Sequence, residues 1–126
     1  MKKAKKTNSR EIVLRIADLA LAKKAYDVVA LDVRKVSTFC DYFLICSCSS
    51  GRMTKAISDA IDEALKKDNI RPHHIEGEEE AKWILMDYGD IIVHIFLEEV
   101  RPFYNLEWLW NDAKRIRIRA AEDKDK

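Results

Sequence analysis

The chain has no surplus of charge of either sign: 23 Lys and Arg stand against 22 Asp and Glu in 126 residues, a formal net charge of +1. A protein that grips nucleic acid mainly by neutralising phosphates needs a clear basic excess. That mode is excluded as the principal one; docking on a protein that sits within RNA is not. Long hydrophobic runs are also missing, and none approaches the roughly 20 residues needed to span a bilayer. The basic start, Met1 to Lys6, leads into Thr7-Asn8-Ser9-Arg10-Glu11 instead of an apolar stretch. Neither a signal peptide nor an Arg-rich, acid-poor transit peptide is therefore expected, and the expected compartment is the cytoplasm. Cysteine is sparse and poorly placed for cross-linking. Cys40, Cys46 and Cys48 are an odd number within nine residues, with no zinc-ligand partners nearby. They read as small buried residues in a reducing compartment.

What is present is enough apolar material for one core: hydrophobic residues make up 48% and charged residues 36%. That composition and length imply a single folded domain. Asn8 followed by Glu11 resembles a capping box, and Ile12, Ile16, Leu19 and Ala20 recur at helical spacing until the pattern fades near Lys24. Asp27 to Val33 is a β-branched run of strand length. In Tyr42 to Cys46 both alternating sets are apolar, as in a strand covered on two faces. Ser47 to Ser50 with Gly51 should end that strand and cap a helix. There Met53, Ile57, Ala60, Ile61, Ala64 and Leu65 form one stripe, with Lys55, Asp59, Asp62, Glu63 and Lys66 toward water. Arg71 to Gly77 is a short extended segment and Glu78 to Glu80 a charged link.

Trp83 to Tyr88 and Ile91 to Leu97 form a hairpin around Gly89-Asp90. A two-residue turn pairs Tyr88 with Ile91, Met86 with Val93 and Ile84 with Ile95, an apolar face that suits the helices. The other face pairs Asp87 with Ile92, Leu85 with His94 and Trp83 with Phe96, and is chemically mixed. A four-residue loop keeps this grouping, whereas a three-residue loop exchanges the partners. Val100 to Trp110 is aromatic-rich, with short helical turns broken at Pro102. The expected fold class is α/β, a mixed sheet of about five strands packed with helices. Residues 1–8 are expected to be a flexible start, 9–111 the domain, and 112–126 a charged, disordered tail.

Enzyme chemistry finds little support. Ser49-Ser50-Gly51 before a helix could receive an anion, but it has neither the glycine spacing nor the Lys of a phosphate loop, and capping accounts for it. Asp87 and Asp90 could hold a divalent ion, yet carboxylates at a hairpin tip more often satisfy the turn's own amides. His73 and His74 would point to opposite faces of a strand and cannot easily chelate one ion. His94 lies opposite Leu85, with Asp87 diagonal to it, and reads as a hydrogen-bonding group, not a metal ligand or base. No catalytic residue, metal or cofactor is assigned. Binding fares better, because Trp83, Phe96, Tyr104, Trp108 and Trp110 crowd into the last third of the chain. Tryptophan, tyrosine and arginine dominate interface energetics. Phe96, Phe103 and Trp108 could equally close the core.

One ordered series stands out: Asp41-Tyr42-Phe43, Ser49-Ser50 with Arg52, Glu76-Gly77, and Trp83 to Asp90. It continues as Val93-His94-Ile95-Phe96, Arg101, Tyr104, Leu106-Glu107 and Leu109-Trp110. From about Ile12 to Trp110 the chain resembles the ribosomal silencing factor family, also called the Iojap-like proteins. The resemblance implies a nucleotidyltransferase-like fold without that enzyme's carboxylate pattern. It also implies binding to the large ribosomal subunit through its protein fourteen, and steric obstruction of joining with the small subunit when nutrients are limiting. Organellar relatives act in assembly of the large subunit. Carried over by position, the partner-binding residues are Trp83, Tyr88 and Tyr104, with Asp87, Asp90, Arg101 and Leu106 beside them. Two features depart from the family pattern: Cys46-Ser47-Cys48-Ser49, and a basic extension from Lys114 to Arg119 that could touch rRNA phosphates or remain solvated. The mixed hairpin face could also pair two free copies of the chain, in competition with the ribosome.

Overall fold

The structure is a computed structural model in which residues 8–103 and 112–118 are described. Its elements are α1 (Ser9–Ala22), β1 (Tyr26–Asp32), β2 (Tyr42–Cys48), α2 (Gly51–Lys66), β3 (His74–Glu76), β4 (Trp83–Asp87) and β5 (Ile91–Leu97). A 3-10 turn follows at Arg101–Phe103, then β6 (Lys114–Ile116). The strands form one sheet in the order β3-β4-β5-β2-β1-β6. β2 and β5 run parallel at the centre, and every other neighbouring pair is antiparallel.

Both helices start where their caps dictate. The Asn8 side chain accepts the amide of Arg10 at 2.9 Å, and the Ser50 hydroxyl accepts that of Met53 at 3.2 Å, each satisfying a donor left open in the first turn. Helix α1 buries Val13, Ile16, Ala17, Ala20 and Leu21. Helix α2 buries Thr54, Ile57, Ser58, Ile61 and Leu65. Its inward stripe is thus turned toward Thr54 and Ser58 from the expected Met53, Ala60 and Ala64. The Thr54 hydroxyl lies 2.6 Å from the Gly51 carbonyl and 2.8 Å from the Ala81 carbonyl, joining the helix start to the loop before β4. Arg15 binds Asp68 and the carbonyl of Ala64, joining α1 to the end of α2.

The helices cover one face of the sheet, against Leu44, Cys46, Cys48, Ile84, Met86, Ile91, Val93 and Ile95. Each fully buried Ile or Leu contributes about 1.5–3 kcal/mol from area removed from water. The opposite, outer face carries a second apolar cluster of Leu31, Val33, Cys40, Ile45 and Phe96. Phe43, Trp83, Ile92, Val100 and Ala113 pack against it. The sheet is therefore clothed on both sides, which is why β2 is apolar in both alternating sets. Cys46 and Cys48 share the inner face and Cys40 belongs to the outer cluster; all three thiols are free.

Three expectations need correction. Among the described residues the sheet has six strands, one more than expected. The sixth, β6, lies inside the segment expected to be a disordered tail. It pairs with β1 as Ala30 with Ile116, Leu31 with Arg115 and Asp32 with Lys114, because Ile116 and Ile118 are apolar at alternate positions and sink into the inner core. Finally, β2 does not stop at Ser47 but continues to Cys48, since Ser47 pairs with Phe96 across the parallel ladder.

Candidate partner-binding site

The hairpin has the register its turn demands. Trp83 faces Phe96, Ile84 faces Ile95, Leu85 faces His94, Met86 faces Val93 and Asp87 faces Ile92. The amide of Tyr88 donates to the carbonyl of Ile91 at 2.9 Å, and Gly89 takes φ +88°, where a side chain would be strained. Alternation then puts Trp83, Leu85 and Asp87 on the outer face and Ile84, Met86 and Tyr88 on the inner one.

Trp83 is half-buried at the start of β4. Its indole stacks on Phe96 (5.1 Å between centroids, 22° between planes) and lies 5.9 Å from the ring of His94. The indole Nε1 donates to His94 Nδ1 at 3.1 Å. His94 is buried, with Phe43 edge-on at 4.9 Å, and burial pushes its pKa down to about 4. Because an indole only donates, Nδ1 holds the lone pair and the proton of the neutral imidazole sits on Nε2. That Nε2 has no hydrogen-bond partner among the described residues.

The backbone around Trp83 is held closely. Gly77 ends β3 with φ +87°, and a Cβ there would lie 2.0 Å from the Trp83 carbonyl oxygen. Only a residue without a side chain lets these two segments approach so closely. The Ala81 amide returns to the Gly77 carbonyl at 2.9 Å, and the Leu97 amide donates to the Lys82 carbonyl at 2.8 Å. Beside the indole is an open hollow of about 510 Å³ lined by Gly77, Glu79, Glu80 and Trp83.

Across the sheet from Trp83 the row continues through Phe96 to Ser47. Arg101 ends on this row. Its guanidinium donates to Ser47 Oγ and to the Asp27 carbonyl, both at 2.8 Å. The Asp27 carbonyl is turned out by a bulge in β1, where Asp27 takes φ +50°. Burial lowers the Arg101 pKa, and nearby Arg115 pulls it the same way.

The remaining candidates sit at the far end of the hairpin. Asp87 accepts the Gly89 amide through Oδ1 at 2.8 Å, so it acts as the turn's own cap. The Asp90 carbonyl accepts the amides of Asp41 and Tyr42, and its carboxylate accepts the Ser9 hydroxyl at 3.4 Å. Tyr88 packs against the helical core. Its hydroxyl is buried without a partner among the described residues, and burial, with the Asp62 carboxylate, raises its pKa far above the ordinary tyrosine range.

The described members of the expected site therefore fall at two ends of the sheet. Trp83 and Arg101 share one end of the sheet; Asp87, Tyr88 and Asp90 share the other, roughly 13 Å away along β4 at strand rise. Tyr88 also faces the opposite side from Trp83. Tyr104 and Leu106 lie outside the described residues. His94 as the partner of Trp83 was missed, although the register carried the signal: Trp83 and Asp87 are both diagonal neighbours of His94, and the former is the one bonded. Of the other histidines, His74 meets Glu76 at 3.0 Å and Asp87 at 3.8 Å. Among the described residues no three His, Cys, Asp or Glu side chains gather to hold a metal, and no helix is long and apolar enough to cross a membrane.

Comparison with known proteins completes the picture. The family described as ribosomal silencing factor during starvation matches residues 6–126. The chain is 41% identical over 106 residues to ribosomal silencing factor RsfS of Bacillus subtilis, covering 83% of this chain and 90% of that protein. It is 31% identical over 98 residues to the mouse protein named mitochondrial assembly of ribosomal large subunit protein 1, covering 75% of this chain and 43% of that one. A crystal structure from Chromobacterium violaceum superposes with a TM-score of 0.79 at 28% identity, covering 83% of this chain and 88% of that one. A second, from Bacillus halodurans, gives 0.74 at 34% identity, covering 87% and 99%.

Proposed function

The chain belongs to the ribosomal silencing factor family, and from that premise we propose that it binds the large ribosomal subunit and blocks joining with the small one, damping translation when nutrients are limiting. The observation that carries this reading is the family match over residues 6–126. The outer sheet face supports it, because Trp83 stands at its rim, half-buried, oriented by neighbours and beside an open hollow. Such a ring offers a large apolar area with little side-chain entropy left to lose on binding.

The mechanism is steric and non-catalytic, without metal or cofactor. The partner on the large subunit is its protein fourteen, met by the Trp83 end of the sheet, with Arg101 organising the neighbouring backbone. Asp87 and Asp90 act on the hairpin tip, and Tyr88 supports the strand from beneath. Tyr104 and Leu106 are carried as contacts by family position. The basic residues of β6 and beyond add a peripheral contact to rRNA, and free copies of the chain can pair through the Trp83 rim of the outer face in the cytoplasm. Occupancy of the subunit requires only micromolar to nanomolar affinity, about −8 to −12 kcal/mol, which a standard-size interface supplies. Added to purified subunits, the protein should move ribosomes from joined to separate peaks in a density gradient. Unchanged sedimentation sinks the proposal.

A second reading is favoured by the mouse relative, named for assembly of the ribosomal large subunit. Assembly would use the same interface. A deletion strain that accumulates precursor rRNA while subunit joining is normal would select it.

A further inference from the structure

His94 is an expensive residue for its position. It is 5% exposed, surrounded by Phe43, Trp83 and Phe96, and its Nε2–H is buried without a hydrogen-bond partner among the described residues. A buried donor left unsatisfied costs stability, and an apolar ring of similar size would avoid that cost. Among the described residues, the hydrogen bond that His94 makes through its ring is the one to Trp83. What an imidazole does that a phenyl ring cannot is accept the indole proton of Trp83, at 3.1 Å. This bond, with the stack on Phe96, fixes the rotation of the indole about its Cβ–Cγ bond. The ring is thereby held at the edge of the hollow lined by Gly77, Glu79 and Glu80.

We infer that His94 is a positioning residue for the partner surface, holding the Trp83 indole in its binding orientation before a partner arrives. The inference rests on the reading of Trp83 as a contact to the large subunit. A preset ring spares the ordering cost of association, so the benefit appears in affinity and not in folding.

The test uses the full chain with purified large subunits. His94→Phe should fold with thermal stability close to the parent's, since relief of the buried Nε2–H offsets loss of the acceptor for the part-buried Trp83 indole. The indole N–H resonance of Trp83, identified as the one lost in Trp83→Phe, should move upfield, and subunit binding should weaken about five- to tenfold, the value of one hydrogen bond. His94→Asn places an amide oxygen near the position of Nδ1 and should return binding to within about twofold of the parent. Three results overturn the inference: His94→Phe binding as tightly as the parent while Trp83→Ala is impaired, His94→Phe failing to fold, or His94→Asn binding no better than His94→Phe. Parental affinity in Trp83→Ala would instead remove the reading of Trp83 itself, and this inference with it.

Discussion

Trp83, His94 and Gly77 show how a binding side chain is set by neighbours remote in sequence. Trp83→Ala should weaken binding to the large subunit by about 2 kcal/mol or more, measured by pelleting or interferometry, if the indole is a hot spot. A folded mutant with parental affinity would make the ring a core residue only. Gly77→Ala tests the backbone beneath it. Its Cβ would meet the Trp83 carbonyl oxygen at 2.0 Å, on a residue already at φ +87°, so the loop or β4 must shift. A stability loss of about 2 kcal/mol or more in urea unfolding is expected, above the usual cost of a side chain at positive φ. Asp87 behaves differently. Its carboxylate caps the Gly89 amide, so Asp87→Ala should cost stability by about 1 kcal/mol before it costs affinity.

At the level of elements, the edge strand β6 is the most exposed to challenge. Ile116 is only 5% exposed and faces the inner core beside Ala30. Ile116→Ala should therefore lower stability by about 2 kcal/mol. A neutral result in thermal unfolding would mean that the segment is an unpaired tail in solution. On α2, Ser50→Ala removes the N-cap bond to Met53 and should cost about 1 kcal/mol. Because that helix start is also tied to the Ala81 carbonyl through Thr54, frayed capping should spread to the loop that leads into Trp83. Faster amide exchange at residues 78–82 in Ser50→Ala would show the connection.

For the whole molecule, the buried histidine couples folding to acidity. His94 binds a proton near pH 6.5 in the unfolded chain but only near pH 4 when folded, because burial disfavours its charged form. Between those values the unfolded state holds more protons, so stability falls as the pH drops through the window and levels off below it. The full effect is on the order of 3 kcal/mol, to be read from urea midpoints between pH 7 and pH 4. His94→Phe should flatten this part of the curve. Asp32 works in the same direction at lower pH, since its hydrogen bond to Arg34 depresses the carboxylate's pKa.

Much of this was legible from residue order alone. Caps at Asn8 and Ser50, the two-face apolar β2 and the turn at Gly89-Asp90 are local signals, and the hairpin register follows from the turn because side chains alternate with period two. The family series did the rest, since it is long and ordered. What local pattern could not supply was every contact between distant segments. β6 is recruited to β1 only because Ile116 and Ile118 find the inner core, while its Lys114 and Arg115 look like a solvated tail in isolation. Residues close in sequence were separated in space by the pleat, as with Tyr88, which faces the helices while Trp83 faces outward. The mixed hairpin face, first read as a surface with Trp83 on it, became specific only in three dimensions. Side-chain direction and burial decide there that His94 serves Trp83, and those quantities do not exist until the sheet has closed around them.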